Sequence, residues 1–201
     1  MMALLDYGWS VDLDAVFSAH AGAGLVPGRV VKQSRDVSVV VTSEGEQLCE
    51  VSGRFRRTAV GPSAFPAVGD WAALRPTPDG RFVIEALLPR TSAFSRKAPG
   101  NATEAQIVAA NVDVVLLVSG LDGDFDVRRI ERYVATAWSS GAQPVIVLNK
   151  SDLSSDREAA VAAAAAVAPG VPILTTTAVA SESLAALRAH LDPGRTIALL
   201  G

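Results

Sequence analysis

At 201 residues, 49% hydrophobic and 19% charged, the chain has room for one large or two small folded domains and falls outside the disordered and fibrous classes. Its net charge of −3 argues against a uniformly cationic nucleic-acid binder, and its single cysteine, Cys49, excludes an internal disulfide framework and a multi-cysteine zinc site within these residues. The charge is uneven, with 11 Lys and Arg against 7 acids over residues 29–97 and 7 against 11 over residues 98–201, as expected of an RNA-touching module joined to a separate functional domain.

The first twenty residues contain Asp6, Asp12 and Asp14 but neither a basic leader nor a long apolar run, so no signal peptide is expected. No stretch approaches the roughly 18 apolar residues of a membrane helix, and a cytoplasmic location is expected. After Gly8-Trp9, the spacing of Leu13, Val16 and Phe17 predicts a short helix with these three on one face. Short strand-like runs then follow at Val30–Gln33, Val37–Thr42, Gln47–Ser52, Val68–Leu74 and Arg81–Leu87, with turns at Glu44-Gly45 and Pro78-Asp79-Gly80. Five strands in about sixty residues suggest a small closed barrel of the OB type, a fold that binds single-stranded or structured RNA. Cys49 reads as a small buried hydrophobe on one of these strands, and Trp71 as core. Arg54, Arg56 and Arg57 surround Phe55, either a phosphate-holding cluster with a stacking aromatic or a solvated strand end. Pro89 to Lys97 reads as a basic linker containing Arg90, Arg96 and Lys97, closed by Pro99-Gly100.

The periodicity changes near residues 95–105, where a domain boundary is expected. Val114–Val118 is a continuous apolar run and hence a buried strand. Val127, Ile130, Val134 and Trp138 mark the inner face of a helix over Asp126–Ser140, with Arg128, Arg129 and Arg132 outward and Gly141 ending it. A strand at Pro144–Leu148, a helix from Ser155 to Val167 capped by Ser154 or Ser155, a strand at Val171–Thr175, a helix at Ser181–Leu191 and a strand at Arg195–Leu200 complete the order. Strands alternating with helices predict a parallel sheet whose ligand sits beyond the carboxyl ends of the strands.

One such end carries Asn149-Lys150-Ser151-Asp152, which resembles the Asn-Lys-x-Asp guanine-reading motif of GTPases, where a carboxylate accepts hydrogen bonds from the ring N–H and the amino group of guanine. Adenine lacks that amino group, so a site built on Asp152 rejects it by about 10⁴. Thr176-Thr177-Ala178, just beyond the next strand, falls at the same edge of the sheet. No Gly-x-Gly-x-x-Gly follows the Val114 strand, which disfavours a dinucleotide enzyme.

Taken together, Pro27-Gly28-Arg29-Val30, Gly69-Asp70-Trp71, Pro89-Arg90-Thr91, Ala110-Asn111-Val112-Asp113, Ile130-Glu131-Arg132-Tyr133 and Asn149-Lys150-Ser151-Asp152-Leu153 resemble the circularly permuted GTPases of the RsgA (YjeQ) type, which mature the small ribosomal subunit. The resemblance implies an OB domain over residues 1–98 and a permuted P-loop GTPase domain beginning at residue 99, present in part. It implies GTP and GDP with Mg²⁺ as ligands, Zn²⁺ in a further C-terminal domain, and the 30S subunit with its 16S rRNA as partner. Asn149, Lys150, Ser151 and Asp152 then read the base, Thr177 and Ala178 offer a backbone N–H to the guanine carbonyl, and Gly201 is the first glycine of the phosphate loop. Arg54, Arg56, Arg57, Arg90, Arg96 and Lys97 become the candidate rRNA contacts. No Gly-x-x-x-x-Gly-Lys-Ser/Thr occurs within the 201 residues, so a fragment inactive in hydrolysis is expected. The complete protein is expected to be a monomer, and this fragment to self-associate through the edge of the Arg195–Leu200 strand. The alternative is a non-enzymatic RNA-binding module with the α/β region as scaffold.

Overall fold

The computed structural model describes residues 2–97 and 105–201; the Pro99-Gly100 break lies outside them. Two compact units divide at Asn111/Val112.

The first unit opens with α1 (Met2–Asp6) and α2 (Val11–Ala21), separated at Gly8, with Ser10 capping α2 by accepting from Leu13 N at 3.3 Å. Five strands follow: β1 (Val26–Ser34), β2 (Val37–Thr42), β3 (Gly45–Val51), β4 (Trp71–Pro76) and β5 (Phe82–Leu87). They close into a barrel in the order β1-β2-β3-β5-β4, antiparallel except for β3 beside β5, which is the OB-type architecture expected.

The pleat explains why β4 is buried on both faces. Ala72 and Leu74 pack inside the barrel with Val30, Val40, Cys49, Phe82 and Ile84, while Trp71 and Ala73 turn outward under the N-terminal helices. There Trp71 meets Trp9 edge-on at 4.9 Å, and Leu4, Phe17, Val41 and Leu88 complete the second cluster. Cys49 and Trp71 are thus both core. Of the three residues assigned to the inner face of α2, Phe17 is buried and Leu13 partly so, but Val16 faces solvent.

Two stretches differ from their sequence reading. Gly53–Thr58 is a helix, α3, capped by Ser52, rather than a strand end. The supposed linker contains β6 (Ala93–Lys97), paired antiparallel with β7 (Ala105–Ala110). Arg90, at its start, donates through Nε and Nη2 to the two carboxylate oxygens of Asp70, both at 2.7 Å, and to the carbonyls of Ser63 and Phe65 at 2.7 and 2.9 Å. Asp70 has no exposed surface and also accepts from Ala67 N at 2.8 Å. Asn111 closes the unit by donating to Gly69 O and accepting from Thr91 N, both at 2.9 Å.

The second unit is a four-stranded sheet, parallel throughout, in the order β10-β9-β8-β11, made of β8 (Val114–Gly120), β9 (Gln143–Asn149), β10 (Ile173–Thr175) and β11 (Ile197–Leu200). Central β8 and β9 are buried along nearly their whole length, as continuous Val, Ile and Leu runs require. On one face Val114, Leu116, Val145 and Val147 pack with Leu187 of α6 (Ala185–Arg188); α4 (Val127–Ser140) packs on β8 and β9 and against α5 (Arg157–Val167).

Helix α4 starts at Asp126, whose carboxylate accepts from Arg129 N at 3.1 Å, and stops at Gly141, whose φ of 89° favours glycine. Its inner face is Ile130, Val134 and Ala137, leaving Trp138 more than half exposed, contrary to the expected inward placement. Asp156, not Ser154 or Ser155, caps α5. The helix expected at Ser181–Leu191 is a 3₁₀ turn at Ser181–Leu184 running into the single turn of α6.

Candidate functional site

From β8 the chain steps through β9 to β10, then returns to the other side of β8 as β11. That reversal is a topological switch point, and in open α/β sheets the crevice beyond the strand ends at such a point receives the ligand. Three loops meet at this edge: the one after β8, the Asn149–Asp152 motif after β9, and Thr176–Ala178 after β10. Gly201 follows β11, close enough to β8 that a Cβ there would lie 2.8 Å from Val118 O.

The motif is fastened on both sides. Asn149 Oδ1 accepts from the Thr176 hydroxyl at 3.1 Å, and its carbonyl accepts from Leu121 N at 2.9 Å, so this residue ties the β10 and β8 loops together. Lys150 takes a left-handed φ of 56°, and Ser151 N donates to Thr176 O at 3.1 Å. Asp152 is exposed, and its Oδ1 accepts the Thr177 hydroxyl proton. Thr177 is itself held, its N–H donating to Ser183 Oγ at 3.0 Å and its carbonyl accepting from the same hydroxyl at 2.9 Å. Ala178, next in line, is exposed, and its N–H donates to no acceptor among the described residues.

Chemically, this edge presents a carboxylate with an oxygen open to solvent, an adjacent backbone N–H, and a lysine stem. Those are an acceptor for paired donors, a donor for a carbonyl, and an apolar strip for a ring face. The Lys150 ammonium donates to Asp122 in the β8 loop. That hydrogen bond holds the lysine above its ordinary pKa and the Asp122 carboxyl below its own. Among the described residues no cluster of three or more His, Cys, Asp or Glu could hold a metal ion.

The fold brings Asn149, Lys150, Ser151, Asp152, Thr177 and Ala178 to one edge of the sheet. Asp122 and Ser183, which no motif singles out, join them from other loops through hydrogen bonds with Lys150 and Thr177. The basic residues are dispersed. Arg54, Arg56 and Arg57 are exposed on α3, while Phe55 packs into the barrel core and against Phe65 at 6.0 Å, and so is not a free stacking platform. Arg56 pairs with Asp36 at 3.3 Å. Arg96 is exposed on β6, where Lys97 also falls, and Arg90 is engaged with Asp70 and with the carbonyls of Ser63 and Phe65.

A closed five-stranded barrel is thus followed by a parallel sheet that carries Asn149-Lys150-Ser151-Asp152 at its carboxyl edge. The RsgA GTPase profile matches residues 87–201, more than half of the chain, and the chain belongs to that family. It is 42% identical over 209 residues to the small ribosomal subunit biogenesis GTPase RsgA of Opitutus terrae, covering 100% of this chain and 57% of that protein. It is 40% identical to RsgA 2 of Lactiplantibacillus plantarum, covering 98% of this chain and 55% of that one. The chain thus spans little more than half the length of these relatives. Among solved structures, YjeQ from Thermotoga maritima superposes with a TM-score of 0.70 at 26% identity, over 88% of this chain and 60% of that one. YloQ, described as a circularly permuted GTPase, shares the fold with a TM-score of 0.67 at 22% identity, with the same coverage. No helix among the described residues is long and apolar enough to cross a membrane.

Proposed function

We propose that this chain carries the base-recognition half of a guanine-nucleotide switch that acts in assembly of the small ribosomal subunit, in the cytoplasm. The single observation behind this reading is the hydrogen bond from Thr177 to Asp152 at the sheet's carboxyl edge, which sets a carboxylate beside the Ala178 N–H. Asp152 accepts from the purine N–H and amino group, Ala178 N–H donates to the carbonyl, and Lys150 lies along the ring. Asn149 and Ser151 hold the loop.

The phosphate chemistry lies outside these groups. Phosphoryl transfer depends on a nest for the phosphates, a lysine and Mg²⁺, and no Walker-type sequence occurs in the 201 residues. These residues alone therefore bind GDP weakly and do not hydrolyse GTP; Gly201 is the first residue of the phosphate loop, and any Zn²⁺ belongs to a further domain. The barrel supplies the contact to 16S rRNA, with Arg54, Arg56, Arg57, Arg96 and Lys97 as its cations.

In the full-length protein, GDP competes with GTP while ATP does not, and Asp152→Ala abolishes the discrimination. Equal affinity for adenine nucleotides in the unmutated protein would overturn the reading. The 201-residue chain, with β11 at the sheet edge and Leu199 73% exposed, self-associates through that strand. Sedimentation at rising concentration checks this, and Leu199→Lys restores the monomer. The protein carried to its relatives' length is monomeric.

A further inference from the structure

We infer that Asp122 is a positioning residue for the base site: it holds the Lys150 ammonium over the carboxyl end of β8, so that the lysine stem is already laid out where a purine plane is received. The inference rests on the guanine reading and adds a residue that the motif itself does not contain.

The loop that carries Asp122 is fixed on both sides of it. Leu121 N donates to Asn149 O at 2.9 Å, which couples the loop to the motif through the main chain. Asp124 receives both terminal nitrogens of Arg129, at 3.0 and 2.8 Å, which couples it to the first turn of α4. Between these anchors the Asp122 carboxylate has little freedom, and it accepts from Lys150 Nζ.

Gly120 makes the approach feasible. A Cβ at that position would stand 2.5 Å from Asp122 Oδ1 and 3.6 Å from Lys150 Cδ, so the absent side chain leaves the space that carboxylate and stem occupy. Lys150, meanwhile, leaves β9 with a left-handed φ of 56°, which turns its side chain off the strand direction. A lysine half exposed to solvent samples many rotamers and would lose them on binding. Tethered to Asp122, it meets the base with part of that ordering already done.

Both partners keep access to water, so the expected effect is a few-fold one. In the full-length protein, Asp122→Asn weakens binding of a fluorescent GDP analogue by about two- to five-fold at low salt and leaves the preference for guanine over adenine intact. The loss shrinks at about 1 M salt, where an exposed pair is screened. In a Lys150→Ala background, Asp122→Asn has no further effect, because the aspartate acts through the lysine. Additive losses in that cycle, or unchanged affinity of Asp122→Asn at low salt, would overturn the inference.

A second measurement needs no nucleotide. By NMR of the lysine side chain in the 201-residue protein, the Lys150 ammonium titrates at lower pH in Asp122→Asn than in the unmutated chain; an identical titration also overturns the inference. Should Asp152→Ala keep the guanine preference, the site reading itself fails. Should it lose the preference while Asp122→Asn is silent, only the positioning role falls.

Discussion

Replacing Arg90 by alanine separates a structural arginine from an RNA-binding one. In the structure its guanidinium makes four hydrogen bonds, two of them to Asp70, a carboxylate with no exposed surface. Arg90→Ala leaves that carboxylate buried with the Ala67 N–H as its remaining backbone donor and frees the carbonyls of Ser63 and Phe65. Breaking a buried pair from one side costs about 3–5 kcal/mol, a fifth or more of the roughly 5–15 kcal/mol that holds a typical domain. At about 4 °C per kcal/mol, the first unit melts some 12–20 °C lower. Urea unfolding followed by Trp9 and Trp71 fluorescence in a Trp138→Phe background reads this unit alone, since the chain has three tryptophans and the third lies on α4. Asp70→Ala combined with Arg90→Ala destabilises less than the sum of the two, because the stranded charge is gone. A loss below about 1 kcal/mol, together with weakened RNA binding, would refute the assignment and return Arg90 to the RNA-contact set.

The remaining predictions concern the core thiol and the helix starts. Burial pushes the Cys49 thiol from 9.0 up to about 11. Its pKa is thus higher folded than unfolded, so its contribution to stability is complete below about pH 9 and is lost as pH rises towards 11, a fall on the order of 2 kcal/mol that Cys49→Ala does not show in pH-dependent urea titrations. Asp126→Ala and Asp156→Ala each remove a side-chain cap, from α4 and α5 respectively, and each lowers the stability of the second unit by about 1 kcal/mol in urea unfolding; no change would deny the caps their role.

What the sequence revealed depended on how locally each feature is determined. The barrel strands were legible because alternation and turn residues act within a few positions, and α4 because Asp126 and Gly141 punctuate it at both ends. Pro89–Lys97 misled because its structure is set by Asp70, twenty residues before Arg90, and by pairing with β7, both non-local. Trp138 follows Ala137 by one residue, about 100° around the helix, and small Ala137 fills the space under α4 that size alone would have assigned to the tryptophan. Segment 53–58 is too short and too rich in arginine for periodicity to declare a helix, and only the Ser52 cap and the anchoring of Phe55 make it one. In the site, Asn149–Asp152 was legible as a contiguous motif, whereas Asp122 and Ser183 reach it through tertiary contacts that spacing does not encode.

The strand order of the barrel also sets a timetable for synthesis. β1 finds its second neighbour only in β4, pairing Val26 with Leu74, and β3 finds its own only in β5, pairing Cys49 with Phe82. At roughly 5–20 residues per second, a nascent chain that has just released β3 waits about 2–7 s for β5. For that interval the apolar faces of Val40 and Cys49 stand open, a window in which a holding chaperone has something to grip and a destabilised variant has time to aggregate.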